Sequence, residues 1–215
     1  MKGDIIIVEE HHRQAAERIV AKLIDEIRGR DRRTTLTVAG ESGSGKSESA
    51  QAIAEALVPH GITAAVLQQD DYFVHPPRTN DRTRRANLCW VGPLEVRLDL
   101  LDEHLAAARE GASRITKPLV IYEEDRITEE TLTFGEAGVV IAEGTYTSLL
   151  ENVDRRVFIA RNRLDTMDHR MKRGREEFDP FIERVLEIEH EIISAHRSRA
   201  DILITRDYEV GFVRI

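Results

Sequence analysis

Apolar residues recur along this chain with two different periods. From His11 to Ile27 they fall at Ala16, Ile19, Val20, Leu23, Ile24 and Ile27, the three-and-four spacing of an amphipathic helix. Ser47 to Leu57 repeats the pattern with Ala50, Ile53, Ala54 and Leu57, and Pro59 and Gly61 close it. Leu94 to Ala108 turns Leu98, Leu101, Leu105 and Ala108 to one face. Phe181 to Ile193 does the same with Ile182, Val185, Leu186 and Ile192. Between these lie short runs that are alternating or wholly apolar: "TTLTVA" at 34–39, "ITAAVLQQDD" at 62–71, "GVVIAEG" at 138–144, "RRVFIA" at 155–160 and a closing "DILIT". Runs of that length predict strands, and apolar ones predict strands buried in a parallel sheet. Ile5 to Val8 reads as a further short strand, and 115–134 as a hairpin.

Strand and helix in alternation imply an α/β fold with right-handed crossovers. The expectation is three layers, α/β/α, around a mainly parallel five-stranded sheet. Residues 1–33 form an N-terminal strand and helix extension, and about 163–178 a lid. The segment 74–93 holds three of the six prolines and shows no period, so it reads as a functional loop. With no repeat or linker, 1–215 reads as one domain.

Composition narrows the function. The chain has 215 residues, 41% hydrophobic and 33% charged, enough for a real core. A net charge of −8 argues against a nucleic-acid partner, because that affinity rests on neutralising phosphates. A single cysteine, Cys89, allows no internal disulfide and points to the cytoplasm. The opening "MKGDIIIVEEHH" is too briefly apolar for a signal peptide, and no run approaches the roughly 18 apolar residues of a membrane span. A homo-oligomer stays open.

The chemistry begins at Gly40-Glu41-Ser42-Gly43-Ser44-Gly45-Lys46-Ser47, followed by Glu48. This satisfies G-x-x-x-x-G-K-[ST], with a strand before it and an amphipathic helix after it. Glycines let amide groups turn inward around an anion, and the helix start adds its dipole. Lys46 then reaches the β- and γ-phosphates of ATP, and the Ser47 hydroxyl ligates Mg²⁺. At the end of the second strand Asp70-Asp71 would face the ligand crevice. A carboxylate there takes the proton of an attacking hydroxyl or helps to position the metal.

The ordered set "GESGSGKS", "LQQDDYF", "KPLVIYEEDR", "VVIAEGTY" and "RMKRGR" resembles the uridine kinase/phosphoribulokinase family of P-loop kinases over about residues 34–206. The resemblance implies ATP-dependent transfer to a hydroxyl of a small molecule, with uridine or cytidine the leading acceptor. It makes Asp70 the catalytic base and a metal neighbour, with Tyr72 beside it. Glu143 stands near acceptor and metal, and Tyr122 and Arg126 face the substrate. Arg170 and Arg173 would close over the transfer as lid arginines. The chain departs from uridine kinases at "NLCWVGP", 87–93, which has no carboxylate, and in a hairpin without a histidine. Sugar, glycerate and pantothenate types of acceptor therefore stay open. A phosphorylated or differently polar acceptor would find Arg78, Arg82, Arg84 and Arg85 in the loop, though these read first as a solvated loop face, and all eight histidines read as non-ligands. A nucleotide switch would want an N-K-x-D motif, which "TRDY" at 205–208 does not supply.

Overall fold

The computed structural model describes residues 6–162, 165 and 179–215. Its strands are β1 (Thr34–Gly40), β2 (Ala64–Gln68), β3 (Arg114–Ile121), β4 (Arg126–Thr133), β5 (Val139–Glu143), β6 (Arg155–Ile159), β7 (Ile202–Ile204) and β8 (Val210–Phe212). Six of them form one sheet in the order β2-β5-β1-β6-β7-β8, and β3 and β4 pair as a separate antiparallel hairpin. The five expected strands are all there and all parallel. β8 adds a sixth, antiparallel at the edge, too short at three residues to show a period in the sequence.

β1 and β5 are buried along their whole length, so both faces of the sheet must be covered. On one face lie α1 (Glu10–Arg28) and α2 (Lys46–Leu57), whose Ile19, Leu23, Ile53 and Leu57 pack on Leu36, Val38, Ile141 and Ile159. α3 (Pro77–Ala86) is a short polar helix. The other face takes α4 (Leu98–Arg109) and α5 (Pro180–Ser194), with Leu101, Leu105 and Ile193 against Ala39, Leu67, Val140 and Phe158. Alternate residues of each strand thus feed opposite cores.

Several expectations need correction. The N-terminal helix is no appendage, since all six of its predicted apolar positions are buried, five of them in the first core. Residues 6–9 form no strand. The prolines of 74–93 do not make it structureless: Pro77 takes the first position of α3, where its missing N–H costs nothing. That helix escaped notice because the side chain it buries is polar, Asn80. α5 buries Ile193 rather than Ile192 at its end.

Candidate active site

β1 ends at Gly40 and the chain curls through residues 41–45 before α2 begins at Lys46. Gly43 and Gly45 hold φ of 77° and 94°, where a side chain is strained. Ser44 N–H closes a turn on the Glu41 carbonyl at 3.1 Å, and Lys46 Nζ donates to that same carbonyl at 3.0 Å. Among the described residues the amides of Gly43 and Gly45 donate to no protein group. The result is a concave nest of amides at a helix start, suited to phosphate. Behind it, Tyr208 Oη reaches the Ser44 carbonyl at 3.2 Å and is itself met by His12 Nε2 and Arg161, each at 3.0 Å. The N-terminal helix therefore braces the loop.

Gln68 pairs in register with Glu143, so β2 and β5 end side by side. Gln69 fills the space a β-carbon on Gly144 would need, and its amide oxygen accepts Tyr146 N–H at 2.7 Å. The next residue, Asp70, is exposed, close enough to Glu143 for their charges to interact. Ser47 Oγ donates to Glu143 at 3.0 Å. Burial first, and then the Asp70 carboxylate, push the Glu143 carboxyl up to about 7 against the pull of Lys46 and Ser47. A hydroxyl beside two carboxylates, one of them reluctant to ionise alone, is the oxygen donor set that a hard divalent cation suits.

Asp71 has another task. Its carboxylate takes Lys117 Nζ at 2.6 Å and Val120 N–H at 3.0 Å, both from β3. The hairpin is thereby docked against the strand end that carries Asp70. Past Asp70 opens a cavity of about 340 Å³ between the hairpin, α3 and α5. Phe73, His75 and Tyr122 line it, and deeper in lie Arg84, Tyr146 and Glu189. Arg84 Nε donates to Glu95 at 2.5 Å, and Arg84 lies 3.5 Å from Glu189. Glu189 in turn accepts Ser42 Oγ of the phosphate loop at 2.8 Å, while its neighbour His190 meets Glu41 at 2.6 Å.

The residues 40–47 thus come together with Asp70, Glu143 and Tyr122. Glu48 is buried in the first turn of α2. Tyr72 does not face the cavity: it is fully buried, with its hydroxyl 2.8 Å from His104 Nδ1, and Phe73 stands at the wall instead. Arg126 pairs with Glu124 at 2.8 Å near the exposed hairpin turn, outside the cavity lining. Arg170 and Arg173 lie outside the described residues. Arg84, read as solvated, is 19% exposed and belongs to the wall. Glu189 carried a signal that was missed, a carboxylate on the buried stripe of α5 between Leu186 and Ile193. Glu9, His11 and His12 bring metal-type atoms within 4.8 Å of one another, although both ring nitrogens of His12 are engaged, by Glu9 N–H and Tyr208.

A loop suited to phosphate that opens onto a walled cavity is the arrangement of the P-loop kinase class. The chain belongs to the phosphoribulokinase/uridine kinase family, whose family model matches residues 35–162. Over 84% of its length it is 30% identical to a bifunctional alpha-galactosidase/sucrose kinase of Mediterraneibacter gnavus, of which the match takes in 21%. It is 28% identical to uridine kinase of Ureaplasma urealyticum over 52% of each chain. The chain thus spans about half of the latter's length and about a fifth of the former's. The fold is shared with D-glycerate 3-kinase of Cryptococcus neoformans, at a TM-score of 0.61 and 14% identity, covering 95% of this chain and 100% of that one. Such kinases use ATP with a divalent metal. No helix among the described residues is long and apolar enough to cross a membrane.

Proposed function

We propose that this chain transfers the γ-phosphoryl group of ATP to a hydroxyl of an uncharged, polyhydroxylated small molecule. Nucleosides such as uridine and cytidine fall in this class, and so do free sugars. One observation carries the choice: the cavity beside Asp70 is lined by the carboxylates of Asp70, Asp81 and Glu189, and its guanidinium, Arg84, is already matched by Glu95 and Glu189. A glycerate, pantothenate or sugar phosphate would bring a negative charge against that wall, at a cost in affinity. A neutral polyol would find acceptors and donors for its hydroxyls. Likeness, over most of this chain, to part of a protein named as both alpha-galactosidase and sucrose kinase supports the sugar side of the class. The missing carboxylate in "NLCWVGP" weighs against a ribose pocket of uridine-kinase type.

In this reading the loop amides and Lys46 grip the triphosphate. Asp70 orients the acceptor hydroxyl and takes its proton. Mg²⁺ would be held by Ser47, Glu143 and Asp70, and when bound it neutralises charge on the phosphates. Tyr122 walls off the acceptor, and Arg170 and Arg173 shield the transfer from water. The whole of 1–215 works as one catalytic domain in the cytoplasm, on a small molecule and without nucleic acid or membrane.

The test is a coupled ADP-release screen over sucrose, fructose, uridine, cytidine, D-glycerate and pantothenate, with Asp70→Asn as the blank. Turnover confined to the neutral acceptors is the expected result. Preference for D-glycerate or pantothenate would overturn the reading.

A further inference from the structure

We infer that Tyr146, Arg84 and Glu189 form a subsite at the inner end of the acceptor cavity, which takes a hydroxyl of the acceptor other than the one phosphorylated. The inference rests on the neutral-acceptor reading above and gives a role in hydroxyl binding to three residues to which the sequence analysis assigned none.

Tyr146 is 1% exposed, yet it lines the same cavity as Asp70. Among the described residues its hydroxyl has no hydrogen-bond partner. A buried phenol normally finds one, because leaving a polar hydrogen unmet forfeits its hydration. The hydroxyl is not in apolar surroundings either. Glu189, Glu95 and Arg84 all lie within electrostatic reach, and burial, followed by the two carboxylates, raises its pKa. Arg84 spends Nε on Glu95, and its terminal nitrogens make no hydrogen bond to a described residue. Its fork therefore keeps donors for a ligand. Glu189 supplies a carboxylate beside them, held in place through Ser42.

Two donors and an acceptor, where the single guanidinium of Arg84 faces the carboxylates of both Glu95 and Glu189, suit one chemical group best. A hydroxyl can accept from Tyr146 or Arg84 while donating to Glu189. A carboxylate or phosphate would meet Glu189 unfavourably, and an apolar group would leave the Tyr146 hydroxyl unmet. Since Asp70 lines the same cavity, one molecule can place its reacting hydroxyl at Asp70 and a second hydroxyl at the inner end. A subsite built to bond a hydroxyl discriminates strongly against ligands that lack it.

Glu189 is a poor residue to replace, because it also holds the phosphate loop. The full chain is instead assayed with Mg²⁺–ATP and with sucrose and uridine as acceptors, for the parent, Tyr146→Phe and Arg84→Lys. Tyr146→Phe is expected to raise KM for whichever neutral acceptor the parent uses by roughly tenfold. KM for ATP should stay within about twofold and the melting temperature should not fall, since Phe leaves no unmet hydroxyl. Arg84→Lys keeps the charge but loses the fork, and should raise the same KM. An unchanged acceptor KM in Tyr146→Phe overturns the subsite while leaving the neutral-acceptor reading intact. A parallel rise in both KM values also overturns it, because the residue would then act through general structure. If Tyr146→Phe is recovered unfolded, Arg84→Lys decides by the same comparison. A parent that phosphorylates neither sucrose nor uridine sinks the underlying reading and the subsite together.

Discussion

Lys117 Nζ lies 2.6 Å from a carboxylate oxygen of Asp71, and the two side chains are only 4% and 3% exposed. A buried pair of this kind is worth little over an apolar substitute, but breaking one side leaves a charge stranded. Lys117 would keep Glu130, at 2.8 Å and 40% exposed, as its ion-pair partner among the described residues, beside the Pro118 carbonyl at 3.1 Å. Asp71→Ala should therefore cost about 3 kcal/mol and lower the melting temperature by roughly 6–12 °C. The hairpin carries Val120 and Tyr122 into the cavity, so KM for the acceptor should rise more than KM for ATP. An unaltered thermal melt would show that the pair does not hold the hairpin.

The neighbouring aspartate predicts a different phenotype. Asp70 is exposed at the cavity, whereas Asp71 is buried. Asp70→Asn should fold and bind ATP like the parent, yet transfer phosphate at least about a hundredfold more slowly. Equilibrium nucleotide binding beside single-turnover transfer separates the two steps, and a variant as fast as the parent would remove Asp70 from the mechanism.

Glu143 makes stability depend on pH. Its carboxyl titrates at about 7 in the folded protein against 4.5 when free. Below pH 4.5 it is neutral in both states and costs nothing. As pH climbs from 4.5 to about 7 the unfolded chain ionises first, so stability falls across that window and the full cost is present above it. Without metal, Glu143→Gln should melt higher than the parent at pH 8, by on the order of 2 kcal/mol or ~4–8 °C, and alike near pH 4. Saturating Mg²⁺–ATP should reverse the order, because the glutamine supplies no carboxylate for the cation. Differential scanning fluorimetry over both pH values and both states reads this directly.

Gly45 offers a test of the loop itself. With φ at 94°, a β-carbon there would run into the Tyr208 hydroxyl and crowd His12 Nε2. Gly45→Ala should lose nucleotide affinity by tenfold or more while the core, remote from the loop, keeps its fold. Far-UV circular dichroism with fluorescent-ATP binding checks both halves. Restored binding in a Gly45→Ala/Tyr208→Phe double variant would locate the clash at the hydroxyl.

Periodicity and spacing were enough for α1, α2, α4 and α5 but not α3, for the five parallel strands and for the loop at 40–47. Each rests on contacts near in sequence or on continuous burial: Leu36 and Val38 beside Ala39 announce a strand with two covered faces, and the glycines around Lys46 announce a backbone that turns inward. The pair Asp70-Asp71 was visible as carboxylates at the end of a strand, whereas the choice of Asp70 and the attention to Glu143 came from the family resemblance. Other features exist only once distant segments meet. Tyr72 and Phe73 are adjacent and both aromatic, and packing beside His104 alone buries one and leaves the other at the wall. Asp70 and Asp71 differ in role because Lys117, far along the chain, closes on the second. Arg84 appeared solvated until Glu95 and Glu189 took it out of water. Local pattern reports which face of an element is apolar. Which polar side chains share a buried cavity is settled by how helices and hairpin dock, and no single segment encodes that docking.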